Sequence, residues 1–423
     1  MVGIRGTPWM PLSSAYTAVI IATLLVASAC AAVWRPAIPP EAVHWRFSTE
    51  QVNRGAELAA VGDCAVCHTN ADGRAFAGGR GVPTPFGIVY ATNITPDPET
   101  GIGQWSAEAF RRAMRDGIDR AGRHLYPVLP YPHFTRASDA DIAALYAFLM
   151  TRTPVHATAP ANRLTFPLNN RFLLAGWNML YLKPGPWHSD PAHDATWNRG
   201  AYLVEAIGHC GACHSPHNSL GAEKSAQALA GGQAEDWYAP PLQAASPARE
   251  PWTRDALAIY LRTGFDVNHG AAAGPMTAVT EQLRGVPDDD ILAMADYIAS
   301  LMPKPAPVAA PVGHKTPDPR VQAMFAGACG GCHGDDASMT RYGAPSLALS
   351  TAVNAPTPQG AIQVILHGIP WRDGQAAPYM PSFGSALTDA QVADIAGFLR
   401  TTYTDKPVWS DLPAAVTKAR RAS

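Results

Sequence analysis

Cys64-Ala-Val-Cys67-His68, Cys210-Gly-Ala-Cys213-His214 and Cys329-Gly-Gly-Cys332-His333 are three copies of one five-residue pattern, Cys-x-x-Cys-His. That pattern is the attachment signature of a c-type haem: two thiols add across the porphyrin vinyl groups, and the adjacent histidine becomes the proximal iron ligand. Six of the seven cysteines are used in this way. Two plainer readings compete with it. Zinc needs four ligands, usually from two cysteine pairs, and no second pair follows within any one copy. A disulfide framework belongs to short chains without a core, whereas this chain has 423 residues,. The reading adopted is three covalently bound haem c groups. Cys64, Cys67, Cys210, Cys213, Cys329 and Cys332 hold the porphyrins, and His68, His214 and His333 are the proximal ligands. A chain built around three such groups is expected to move electrons.

Length and composition agree. A chain of 423 residues suits about three domains, one per motif. Apolar residues make up 47% and charged residues 16%, enough for several small cores. The formal net charge of −2 excludes nucleic acid as a partner, since that would call for a basic surface. Thirty-nine prolines and thirty-six glycines indicate many loops, as expected when a cofactor organises each domain. The basic run Lys418 to Arg421 reads as a solvated tail.

Between Arg5 and Arg35 there is no charged residue, and Ala18 to Val33 is almost wholly apolar. That is long enough for a membrane-spanning helix, which needs roughly 20 residues. Ala27-Ser-Ala-Cys30-Ala-Ala also offers the small residues of a secretion-signal cleavage site. An uncleaved anchor is the favoured reading, and Cys30 is the leftover cysteine. Either reading puts the haem domains on the periplasmic side of the bacterial cytoplasmic membrane, where haem is attached covalently.

The repeat is longer than the motif. Asn53-Arg-Gly-Ala-Glu-Leu precedes the first copy and Asn198-Arg-Gly-Ala-Tyr-Leu the second, with the shorter Val321-Gln-Ala-Met-Phe before the third. Each predicts a helix running into the haem-binding turn. Glycine weakens a helix, so Gly55 and Gly200 predict a close helix crossing. A second amphipathic helix closes each repeat. Ser138 is the predicted N-cap of the first, Asp288 to Asp290 favour the positive end of the second, and Thr388 with Gln391 forms a capping box on the third. Tyr146, Tyr297 and Phe398 are expected to pack on the preceding first helix. The resulting division is an anchor or signal at 1–40, domains at 46–155, 196–303 and 320–405, linkers at 156–195 and 304–319, and a tail at 406–423. Phe172 to Leu182 is too short to span a bilayer and reads as a helix buried between the first two domains, with a partner-docking or membrane-surface segment as the alternative.

A haem that only carries electrons usually has both axial positions filled, and a methionine thioether opposite the histidine raises the potential. Pro-flanked Met276 lies 62 residues beyond His214, and Met380 lies 47 beyond His333; both are assigned as distal ligands. At the matching distance the first repeat has His124-Leu-Tyr-Pro-Val-Leu-Pro-Tyr-Pro-His133, with Leu129 where methionine is expected. Leucine has no lone pair to give. His124, His133 or Met114 as ligand, or an open site, all stay possible for the first haem.

These residues carry a resemblance. The chain resembles the multihaem cytochrome c subunits of membrane-associated bacterial dehydrogenases through Thr84-Pro-Phe-Gly-Ile-Val-Tyr-Ala-Thr-Asn-Ile-Thr-Pro-Asp97, Thr100-Gly-Ile-Gly-Gln-Trp105, Gly122-Arg-His-Leu-Tyr-Pro127 and Ala272-Ala-Gly-Pro-Met276. The resemblance implies an all-α chain of three tandem class I cytochrome c domains behind the N-terminal segment. It implies a separate catalytic dehydrogenase subunit as electron donor and ubiquinone or another respiratory acceptor. Members with methionine in the first loop resemble partners of quinoprotein (PQQ) alcohol or flavin-dependent sugar-acid dehydrogenases. Leu129 instead resembles the partners of molybdenum hydroxylases, which carry molybdopterin with an iron–sulfur subunit; the nicotinate dehydrogenase and isoquinoline oxidoreductase type is the favoured match. The rival of another class is a haem enzyme with an open first haem. No acid–base pair can be placed over that iron, so no catalytic residue is assigned.

Overall fold

The computed structural model describes residues 16–17, 19–21, 23, 34–41, 46–302, 318–334, 337, 346–370 and 379–421. Most of the apolar N-terminal segment and of the Pro/Ala-rich linker therefore lies outside the described residues.

The first domain opens with α1 (Thr49–Val61), which starts at Ser48 and runs into α2 (Cys64–His68), the first motif. A hairpin of β1 (Gly81–Thr84) and β2 (Gly87–Tyr90) follows, then α3 (Ala107–Asp116), the short α4 (Tyr131–Phe134) and α5 (Asp139–Met150). The connection adds β3 (Arg163–Leu164), which pairs with β2, and α6 (Leu173–Tyr181). The second domain repeats the plan with α7 (Ala195–Tyr202), a π-helical turn (Leu203–Ile207), α8 (Gly211–His214), the hairpin β4 (Gly232–Ala234) and β5 (Trp237–Ala239), α9 (Arg254–Thr263), β6 (Phe265–Asp266), β7 (Gly270–Ala271), α10 (Pro275–Leu283) and α11 (Asp288–Leu301). The third has α12 (Pro319–Ala328), α13 (Gly330–His333), α14 (Thr351–Asn354), α15 (Gln359–His367), α16 (Asp389–Tyr403) and α17 (Leu412–Arg421).

The all-α expectation is corrected: among the described residues there are three small antiparallel sheets. They are built on short hairpins rather than on a core layer, the first extended by β3, and the two larger hairpins sit beside the motif histidines. The apolar stretch of the expected N-terminal anchor lies mostly outside the described residues. Among the described residues no helix is long and apolar enough to cross a membrane.

The glycine expectation holds. A Cβ on Gly55 would stand 2.0 Å from the Ala144 carbonyl oxygen, and one on Gly200 would stand 1.9 Å from that of Ala293. Only glycine lets α1 cross α5, and α7 cross α11, at this separation. Capping follows the sequence too. Ser138 Oγ accepts from Asp141 N at 3.1 Å, and Thr388 and Gln391 make the reciprocal box. The aromatic assignment needs one change. Phe148, not Tyr146, stands against Gly55 as Tyr297 stands against Gly200. Tyr146 packs on Phe47 and Phe110 and donates its hydroxyl to the Trp105 carbonyl at 2.6 Å.

The first two domains share one continuous apolar core, from Leu58 through Leu145, Leu203 and Ile207 to Ile298, while the third has its own, centred on Ile362, Val392 and Ile395. Polar groups reinforce the first pairing. Asp290 accepts from Arg199 Nε and Nη2 at 2.8 Å each and from Arg54 Nη1 at 3.3 Å, and Arg54 Nε reaches Asp141 at 3.3 Å. Two further expectations are corrected. Along α6 only Leu174 and Ala175 are buried, whereas Leu173, Met179 and Leu180 are exposed, so this is not a buried interdomain helix. The basic C-terminus is no solvated tail: α17 buries Val416 and Ala419, and Arg420 bonds Asp389 and the Gly384 and Leu387 carbonyls.

Candidate haem sites

Each motif forms a short helical turn at the end of a longer helix, which is what brings its two sulfurs and its imidazole to one side. The first and second turns are followed by hairpins, and the hairpins place a backbone acceptor for each imidazole. His68 Nδ1 lies 2.6 Å from the Thr92 carbonyl, just after β2, and His214 Nδ1 lies 2.6 Å from the Pro240 carbonyl, just after β5. Gly78 N and Gly231 N return to the His68 and His214 carbonyls at 2.7 Å each. Holding Nδ1–H on a carbonyl fixes the tautomer, so Nε2 keeps its lone pair for a metal. Burial pushes both imidazoles below their ordinary value, against the carbonyl hydrogen bonds, and burial does the same to His333. Neutral imidazole is the ligating form.

The sulfurs fit covalent attachment better than either rival reading. Among the described residues all six motif cysteines are free of disulfides, and no cluster of three or more groups could hold a metal ion. Burial pushes the Cys64, Cys210 and Cys213 thiols up to about 12 and Cys67 to about 11.

A continuous cavity of about 3310 Å³ runs past all three motifs. This is several times the roughly 300–1,000 Å³ of a small-molecule pocket. It is walled by the six cysteines, the three motif histidines, Met276, Met380, Leu129, Met114 and His133. Met276 is the second residue of α10, and the core of the paired domains packs beneath it. Met380 exchanges two backbone hydrogen bonds with Ile369, at 2.8 and 3.0 Å.

The first loop is arranged differently. Leu129 packs on the shared core. Met114 is buried in that core on α3. His124 is buried but absent from the cavity wall, and its carbonyl takes Arg171 Nη1 at 2.7 Å. His133 has both ring nitrogens engaged by the second domain, Nδ1 at 2.6 Å from the Glu205 carbonyl and Nε2 at 2.5 Å from Glu223 Oε1. In this arrangement it is a latch beside Gly211 rather than a group free to reach the first iron. The acceptor carbonyl lies in the last turn of its helix, where the second repeat has one more residue than the first between its helix glycine and its first cysteine,. The surplus is taken up as the π-turn Leu203–Ile207, closed by Gly208 N on the Leu203 carbonyl at 2.6 Å. Single π-turns of this kind gather at functional sites.

Sequence reasoning missed Thr92 and Pro240, because a backbone carbonyl has no residue signature. The Tyr90-Ala-Thr-Asn segment is nevertheless part of the resemblance.

The cytochrome c family model matches residues 52–153, 198–302 and 320–403. The chain belongs to the cytochrome c family. Covalently bound haem c is therefore its cofactor. It is 48% identical over 404 residues to a nicotinate dehydrogenase subunit of Pseudomonas putida, covering 93% of this chain and 34% of that one. The chain thus spans about a third of that relative's length. It is 36% identical over 383 residues to the fructose dehydrogenase cytochrome subunit of Gluconobacter japonicus, covering 82% of this chain and 78% of the relative. A diheme cytochrome c-type protein of Cereibacter sphaeroides is 35% identical over 255 residues, which is 59% of this chain and 86% of the relative.

Proposed function

We propose that the chain is the electron-transfer cytochrome c subunit of a membrane-associated dehydrogenase, carrying three haems. The observation that carries the reading is the pair of motif imidazoles, each fixed by a backbone carbonyl in one cavity that passes all three motifs. When bound, haem c supplies one-electron exchange between ferric and ferrous iron. His68, His214 and His333 are the proximal ligands, Met276 and Met380 the distal ligands of the second and third sites, and the motif cysteines the anchors. The carbonyl bonds of Thr92 and Pro240 make their imidazoles more basic ligands. The apolar walls keep water from the metal, and Leu129 leaves the first site without a thioether. That site is proposed to have the lowest potential and to receive electrons first.

The catalytic partner is proposed to be a molybdopterin enzyme with an iron–sulfur subunit. The Leu129 loop and the similarity to a nicotinate dehydrogenase subunit support this over a PQQ or flavin partner. The acceptor is ubiquinone or another respiratory carrier, and the location is the periplasmic side of the cytoplasmic membrane. Cofactor and metal analysis of the complex from gently solubilised membranes tests the reading. Three haems per chain with molybdenum support it; fewer haems overturn the haem assignment, and PQQ or flavin without molybdenum overturns the partner. Leu129 also favours a second reading, a haem enzyme with an open first site. Carbon monoxide binding to the reduced protein supports that reading, and a fully low-spin spectrum removes it.

A further inference from the structure

The turn between β4 and β5 meets three parts of the molecule at once. Its two central residues, Glu235 at φ 47° and Asp236 at φ 63°, both lie in the left-handed region. A two-residue hairpin turn of this hand ordinarily uses Asn-Gly, and larger residues there are strained. Contacts on each side hold it. Glu235 Oε1 takes Arg80 Nη2 at 2.6 Å, and Arg80 Nη1 reaches the Val66 carbonyl at 3.1 Å, inside the first motif. The Asp236 carbonyl accepts from Gln363 of α15 at 3.3 Å, and its carboxylate lies 3.5 Å from Lys418 of α17.

Trp237 follows. Its indole lies on the backbone of Gly274, where a Cβ would come within 2.3 Å of the ring. Gly274 leads through Pro275 to Met276. The indole also meets the His367 imidazole, with ring centroids 6.4 Å apart and the planes tilted by 46°. His367 ends α15 and leads into Gly368, whose Cβ would stand 2.2 Å from the Met380 carbonyl oxygen. The Trp237–His367 contact thus joins the segments carrying the two proposed distal ligands, on the face where the second and third domains meet.

We propose that Trp237 and His367 are the bridging groups for electron transfer between the second and third haem sites, and that the strained turn exists to hold Trp237 there. The inference rests on the function proposed above. One electron crosses, oxidising one iron and reducing the other, with no bond made or broken and no proton moved. Electron tunnelling weakens steeply with the gap it must cross, and packed aromatic rings between the two methionine segments shorten that gap. Neither residue is assigned as a ligand; both act as the path between the two sites.

The test uses the full chain with its haems, a ruthenium photoreductant on Ser385→Cys in the third domain, and Cys30→Ser so that the label has one thiol. A flash delivers an electron to the third site, and its onward passage to the second is followed in the Soret band. Trp237→Leu is expected to slow that phase about tenfold with haem content and midpoint potentials unchanged. His367→Leu is expected to slow it too, and Trp237→Phe to restore most of the rate. An unchanged rate in Trp237→Leu overturns the proposal, as does equal slowing by Gln363→Ala, which loosens the domain contact and leaves both rings. If Trp237→Leu does not retain haem, His367→Leu decides by the same criterion. Fewer than three haems in the parent protein would count against the function itself, whereas three haems with unaltered rates sink only this inference.

Discussion

The first two domains and the third are built from the same two-helix plan around the same motif, yet they are held together by different means. In α1/α5 and α7/α11 the backbones touch through Gly55 and Gly200. In the third domain Asp394 occupies the step along α16 where α5 has Ala144 and α11 has Ala293. There the helices are spaced by rings instead, with Phe325 and Phe398 centroids 4.9 Å apart. The first two domains also merge their cores and share Asp290, whereas the third keeps a separate core and meets them through the Trp237–His367 rings and polar contacts such as Gln233 on Gln359 at 3.0 Å. Two repeats have become one body, and the third has kept its independence. Interfaces of that second kind permit relative motion between domains.

The widest test of this contrast is the glycine crossing. Gly200→Ala and Gly55→Ala each force a carbon into a carbonyl oxygen, with no flexible side chain to give way. Overpacking of this kind is expected to cost about 3 kcal/mol. Because the core is shared, either variant should lower the denaturation midpoint of both domains together, followed by Soret absorbance, while the third domain's transition stays in place. Two separate shifts within the paired domains would break the idea of a single body.

Much of this was legible in the sequence where the signal is local. The motifs, the two helix glycines, Ser138 and the Thr388–Gln391 box each act within one turn or one helix pair, and the structure places them as read. What was not legible depends on partners far along the chain. The hairpins β1–β2 and β4–β5 are too short to show a period-two pattern, and their worth lies in the carbonyls of Thr92 and Pro240. The latch of His133 needs a carbonyl within a π-turn of another domain. The helix α17 reads as a tail because its basic residues suggest solvent, but Arg420 is consumed by three acceptors. Phe148 is hidden behind Tyr146 because both fit an amphipathic pattern, and only the close approach at Gly55 chooses between them.

Asp290 offers the next test, since it is the charge on which both guanidinium groups converge. Asp290→Ala should destabilise the paired domains by about 2 kcal/mol, between the values for exposed and buried ion pairs. Burial alone would raise its carboxyl, but the hydrogen bonds and charges of Arg199 and Arg54 outweigh burial and hold it below the usual range. The folded pKa is thus below the unfolded value of roughly 3.9. This contribution is complete above that pH and is lost as pH falls through the folded pKa. Acid titration of stability should therefore show a shallower slope below about pH 4 in Asp290→Asn than in the parent. An identical slope would mean that Asp290 does not join the domains.

The smaller tests concern independence. Thr388→Ala removes a cap that accepts from Gln391 N at 3.3 Å, and should cost about 1 kcal/mol. The loss should appear only in the third domain's transition. Ser138→Ala removes the matching cap on α5, and should instead move the first two domains together. If both variants shift one common transition, the third domain is coupled more tightly than its separate core indicates.

Gly327→Ala reverses the sign. Gly327 lies in α12, near the end that feeds the third motif, and a Cβ there would meet nothing within 4 Å. The substitution removes backbone freedom from the unfolded chain without a steric cost in the folded one, so it should stabilise the third domain by about 0.5 kcal/mol. The same chemical change is thus destabilising on α1 and α7 and stabilising on α12. That opposition follows only if the glycines of the paired domains are kept for contact and Gly327 is not. A loss of stability in Gly327→Ala, read by the third domain's midpoint, would mean that α12 also approaches a neighbour closely and that the contrast between the domains is one of degree.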